Sequence, residues 1–85
     1  MDYEIIIKPA AQKDLDPLPG AEVERILFRI ENLSLNPRPF GVQKLNDEEG
    51  YRIRSGNYRV LFEIDDKRKI VSVYKIKHRK DVYRN

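Results

Sequence analysis

A chain of 85 residues, 36% of them charged against a usual ~25%, can bury one modest core under a heavily charged surface, so a single domain over residues 1–85 is expected. With no cysteine, a disulfide framework and a thiolate metal site are both excluded, and no apolar run approaches the ~20 residues that cross a bilayer. The net charge of +3 divides into −4 over residues 1–50 (six Lys/Arg, ten Asp/Glu) and +7 over residues 51–85 (eleven Lys/Arg, four Asp/Glu), a basic C-terminal part suited to an anionic partner, nucleic acid first.

The opening MDYEIIIKPA has neither the basic start nor the long apolar segment of a signal peptide, so a cytoplasmic protein without membrane contact is expected. Within it YEIIIK, residues 3–8, is β-branched and short, and predicts a strand. Pro9 then stands at the favoured first position of a helix over PAAQKDLD, which PLPG at 17–20 breaks. In AEVERILFRIENLSL, Val23, Ile26, Leu27, Ile30 and Leu33 recur at spacings of three and four, which marks an amphipathic helix with one buried stripe. NPRP at 36–39 ends it, because a residue before proline avoids the helical region. Two helices with so short a break predict an αα-hairpin.

Residues 40–48 carry a weaker pattern, with VQKL either a short strand or an extended edge. Beyond them Tyr51, Ile53, Tyr58, Val60, Phe62 and Ile64 alternate with polar residues, the period of half-buried strands. IVSVYKIK, residues 70–77, is a further β-rich run after the turn DDKRK, and the charged tail HRKDVYRN reads as a short helix or irregular. The order is a strand, a two-helix hairpin and an antiparallel β-meander, an α+β domain with its helices on one face of the sheet. The other face is then open to water or to a ligand.

The register of the hairpin follows from its turn. If Gly56-Asn57 forms a two-residue loop, of type I′ or II′, Ser55 faces Tyr58, Arg54 faces Arg59, Ile53 faces Val60 and Tyr51 faces Phe62. The apolar residues then share one face, and Arg52, Arg54 and Arg59 share the other; a slip of one residue would mix the two sets. Facing guanidiniums repel by a few tenths to ~1 kcal/mol, which Glu63, two same-face positions along from Arg59, could partly offset. Splayed, solvated side chains are one outcome. The other is a phosphate cradle, because guanidinium forks match phosphate oxygens two at a time. His78 is the chain's one histidine and has the one side chain that ordinarily titrates near neutrality. Tyr83 is either a packing anchor or a stacking platform for a base.

The strand-first start, IIIKPAAQKDLDPLP, the KL before an acidic loop, GYRIRSGNYRVLFEI and the ending IKHRKDVYR together resemble the RelE/ParE superfamily of small bacterial and archaeal toxins, in its RelE branch. The last two segments are the specific ones. The resemblance implies a RelE-like, microbial-ribonuclease-like fold and a metal-independent, cofactor-free endoribonuclease. Such an enzyme works in the ribosomal decoding site, where the messenger's 2′-hydroxyl attacks the adjacent phosphate and expels the next nucleotide's 5′-oxygen. It implies catalytic roles for Arg52 and Arg54, for Arg59 in the G-x-YR segment, for Arg79 of the C-terminal basic segment and for Tyr83 of VY, with His78 a further candidate. Lys75, Lys77, Lys80 and Arg84 would grip RNA. A cognate antitoxin is the implied protein partner, alongside the ribosome and mRNA. A guanidinium is effectively never deprotonated, and some relatives carry lysine where this chain has Arg52 and Arg54, so the identity of the general base stays open. Two other readings stand beside this one. One is a ParE-like inhibitor of DNA gyrase without nuclease activity; the other is a non-enzymatic RNA-binding module.

Overall fold

The computed structural model of the chain describes residues 2–45 and 50–82. Its element order is β1 (Glu4–Ile7), α1 (Pro9–Leu15), α2 (Gly20–Asn32), β2 (Gln43–Lys44), β3 (Tyr51–Ser55), β4 (Tyr58–Asp65), β5 (Ile70–His78) and α3 (Arg79–Val82). The five strands form one sheet in the order β1-β5-β4-β3-β2. β2 through β5 pair antiparallel with their chain neighbours, as the meander predicts. β1 crosses to the far edge and pairs parallel with β5, Glu4 opposite Ile70 through Ile7 opposite Val73, so the sheet is mixed rather than antiparallel throughout.

The helices lie where the sequence puts them. Pro9 opens α1 at a position where a missing N–H costs nothing. Ile26, Ile30 and Leu33 are fully buried and Val23 and Leu27 half-buried, so the stripe of α2 faces the sheet. With Ala11 and Leu15 from α1 they close over Ile53, Val60, Phe62, Val71, Val73 and Ile76 to form the core. β1 is tied to the end of α2 by a reciprocal pair, the Tyr3 amide donating to the Ser34 carbonyl and the Ser34 hydroxyl to the Tyr3 carbonyl, both at 2.8 Å.

β5 outruns its parallel partner. Its upper half would leave backbone donors exposed at an edge, and α1 covers part of it: Asp14 accepts from the Ile76 amide at 2.9 Å and from the Lys75 ammonium at 3.2 Å. A bulge opposite Leu61 and Phe62 interrupts the β4–β5 ladder. The added residue bends the strand and raises its local twist.

The opposite end of the sheet is held by Asp66. Arg38 grips it through both terminal nitrogens at 3.1 and 2.9 Å, and the Tyr3 hydroxyl donates to it at 2.7 Å. These contacts, Arg38 first, hold its carboxyl down to about 2 from an ordinary 3.8. Because the folded state favours the ionised form more than the unfolded chain does, this contribution is complete above about pH 4 and fades as the pH falls toward 2. Asp66→Asn should therefore lower the urea midpoint at neutral pH, with the gap to wild type closing between pH 4 and 2. A gap of constant size across that range would show that ionisation of Asp66 contributes nothing.

Candidate functional site

The β3–β4 turn sets the geometry. Gly56 has φ +58°, and among the described non-glycine residues only Lys69 has a positive φ. Positive φ at the first loop position and not the second is the type II′ pattern. It delivers the expected register: Ser55 opposite Tyr58, Arg54 opposite Arg59, Ile53 opposite Val60 and Tyr51 opposite Phe62. On the next strand Lys77 stands opposite Arg59 and Lys75 opposite Leu61. Arg54, Arg59 and Lys77 thus form a row of three cations across three strands, on the face away from the core.

Arg59 is the unusual member. It is 6% exposed, and its one hydrogen bond among the described residues is from Nη1 to the neighbouring Tyr58 carbonyl at 3.2 Å. No described carboxylate pairs with it, and Glu63 is exposed beside a different groove, with Lys44, Tyr51, Asp65 and Asp66. Withdrawing a guanidinium from water without an opposite charge is costly. Departures of this kind concentrate where a protein binds or reacts.

A cleft of about 520 Å³ opens beside these side chains, lined by Arg29, Phe40, Gly41, Gln43, Arg52, Ile53, Arg54 and Arg59. Among its described lining residues four carry guanidiniums and none is acidic. β2 explains why the cleft exists. It pairs with β3 only at Arg52 and Tyr51, so the rest of the β3 edge is left to α2 and the loop. Arg29 of α2 closes that edge, its Nε donating to the Arg54 carbonyl at 3.2 Å. Gln43 opposite Arg52 accepts from that guanidinium through its side-chain oxygen. The amide nitrogen of Gln43 is then the end left to donate.

The remaining sequence-derived residues are placed differently. Lys75 lies half-buried with its ammonium on Asp14, outside the described cleft lining. His78 pairs across strands with Tyr58, and its ring meets the Tyr58 ring edge-on at 5.2 Å, on the side opposite Arg59. Its Nδ1 accepts from the Lys80 amide at 3.2 Å. Arg79 and Lys80 open α3 as exposed residues, and the Arg79 amide donates to the Asn57 carbonyl at 2.7 Å, which pins the tail beside the hairpin turn. Tyr83 and Arg84 lie outside the described residues.

Arg29 and Phe40 were not among the sequence-derived site residues. Arg29 borders the buried stripe of α2, one residue before Ile30 and three after Ile26, and is half-buried, whereas Arg25 one turn earlier is exposed. A cation at the margin of a buried stripe was the available signal. Phe40 sits between Pro39 and Gly41, in a stretch with no periodicity to read.

The fold and site define the class as a small α+β domain whose hairpin edge carries a guanidinium-lined cleft, an arrangement complementary to anions. Residues 5–83 match the model of the ParE toxin of type II toxin–antitoxin systems, parDE. The chain is 31% identical over 86 residues to Toxin RelG of Mycobacterium tuberculosis, covering 99% of both, and 36% identical over 87 residues to Toxin RelE of the same organism, covering 96% of this chain and 87% of that one. The archaeal RelE–RelB complex from Pyrococcus horikoshii OT3 contains a chain of the same fold at a TM-score of 0.82 and 34% identity, covering 93% of this chain and 97% of that one. The chain belongs to the ParE toxin family of type II toxin–antitoxin systems, on its RelE branch.

Proposed function

We propose that this toxin is a metal-independent endoribonuclease that cuts messenger RNA in the ribosomal decoding site and is restrained in the cytoplasm by a cognate antitoxin. The observation that carries the reading is the buried Arg59 at a cleft with Arg52 and Arg54 and no described acid among them. In the reaction the messenger's 2′-hydroxyl loses its proton and its oxygen bonds the adjacent phosphorus. The bond to the next 5′-oxygen breaks, that oxygen takes up a proton, and a 2′,3′-cyclic phosphate remains. Negative charge grows on the non-bridging oxygens as phosphorus becomes five-coordinate. Preorganised guanidiniums stabilise that charge without reorganising at the moment of reaction. Lys77 beside Arg59, and Lys80 and Arg79 beside the hairpin turn, extend the cationic surface along which an RNA backbone would run.

Support for a protein partner comes from the P. horikoshii relative, whose structure is a complex of RelE with RelB. Carboxylates of an antitoxin segment would find Arg52 and Arg54, both accessible, at the cleft. Among the described residues no helix is long and apolar enough to cross a membrane.

The test is a cell-free translation reaction in which cleavage of the translated message is mapped by primer extension. Cuts within the codon held in the decoding site are expected. Intact message together with gyrase-linked DNA breaks would overturn the proposal in favour of the gyrase-directed alternative. RNA binding without any cut product would reduce the protein to a binding module.

A further inference from the structure

Phe40 is fully exposed at the lip of the arginine cleft. Water-facing aromatic surface gains nothing for the fold, and neither flanking residue gives it a packing partner: Pro39 precedes it and Gly41, at φ +89°, turns the chain away toward β2. The cleft that Phe40 borders has cationic and amide-bearing walls, among them Arg29, Gln43 and Arg52. Arg29 is anchored through Nε to the Arg54 carbonyl, which leaves its two terminal nitrogens for another acceptor, and no described carboxylate takes them. An aromatic face beside a guanidinium-lined groove is what a single nucleic-acid strand requires, bases on the ring and phosphates on the cations.

We infer that Phe40 and Arg29 form a subsite for a nucleotide flanking the scissile phosphate of single-stranded RNA, with the base stacked on Phe40 and its phosphate held by Arg29. The inference rests on the endoribonuclease reading and adds a contact on the α2 side of the cleft, opposite in origin to the C-terminal tail. Stacking of this kind is equal in the ground and transition states, so it acts on KM and leaves kcat unchanged. The ring accepts any base, so the subsite adds affinity without choosing sequence. Gln43 belongs to the same lining, and its amide nitrogen would add a donor toward a base edge.

The experiment measures single-turnover cleavage of messages on stalled ribosome complexes as a function of complex concentration. Phe40→Ala should raise KM on the order of tenfold with kcat unchanged, Phe40→Tyr should restore wild-type behaviour, and Arg29→Gln should raise KM as well. Since Phe40 is fully exposed, its loss leaves the fold intact, which a thermal melt confirms. A second arm replaces each nucleotide flanking the cut in turn by an abasic one. At one position the abasic message should slow wild type by the same factor as Phe40→Ala and should slow Phe40→Ala no further. Wild-type cleavage with KM unmoved in Phe40→Ala, or abasic and protein effects that simply multiply, would overturn the subsite while leaving the nuclease reading in place. The second of those results would mean that Phe40 meets the ribosome or a protein instead. Absence of cleavage by the wild type would bring down both.

Discussion

Messenger held in the ribosome should be cut at least ~10⁵-fold faster by this protein than the same RNA free in solution, because orientation can supply ~7–11 kcal/mol of such a barrier. The reason lies in what the cleft offers. In the proposed reaction Arg52, Arg54 and Arg59 would stabilise negative charge, but none can act as a base. His78, the chain's one histidine, has its ring against Tyr58 on the other side of the sheet. Charge stabilisation without a proton-transfer pair leaves in-line alignment of the 2′-oxygen, phosphorus and 5′-oxygen as the missing element. Free RNA samples that alignment rarely, and a message fixed in the decoding site can be held in it. Purified toxin assayed on one labelled message, with and without ribosomes, decides the matter. Equal rates on the two substrates would mean that the chain carries its own acid and base.

Replacing Arg59 should separate activity from stability. Arg59→Met is expected to lower the cleavage rate by roughly 10²–10³, the usual cost of removing one preorganised transition-state donor, while leaving the melting temperature unchanged or raising it. Arg59 is 6% exposed, its guanidinium bonds one backbone carbonyl among the described residues, and it faces Arg54 and Lys77 across its two neighbouring strands. Taking it out removes a desolvated charge and two repulsive neighbours, and a well-packed apolar substitute for a buried ion is often neutral or stabilising. A structural arginine would behave in the opposite way, with stability and activity lost together. Cleavage assays and thermal melts on the same preparations distinguish the outcomes, and survival of cells expressing the variant gives an independent readout. Arg79→Ala should cost a similar factor in rate, and its exposed position beside Asn57 predicts no change in stability.

The hairpin shows how far local pattern reaches. Alternation along Tyr51–Ile53 and Tyr58–Phe62, with a glycine that reaches positive φ at the turn, leaves one register that keeps apolar residues together. That register alone brings Arg54 and Arg59 face to face. The stripe on α2 and the proline at the head of α1 were legible for the same reason: each depends on residues within one or two turns of one another. The facing pair Arg54 and Arg59 was therefore present in the sequence, and the resemblance to RelE-like toxins extended over nearly its whole length.

What tertiary structure decided was everything that depends on distant segments meeting. The parallel seat of β1 against β5 joins residues more than sixty positions apart, and no turn chemistry encodes it. The withdrawal of Arg59 from water could not be read from a strand pattern that assigns it to the open face, nor could the fact that Glu63 fails to reach it. Arg29 entered the cleft because α2 packs along the unpaired stretch of β3, and Lys75 turned away from it because Asp14 on α1 holds its ammonium. Periodicity reports which face a residue occupies. The partner it finds there depends on how helices settle against a sheet edge, where a few ångströms separate a solvated charge from a desolvated one.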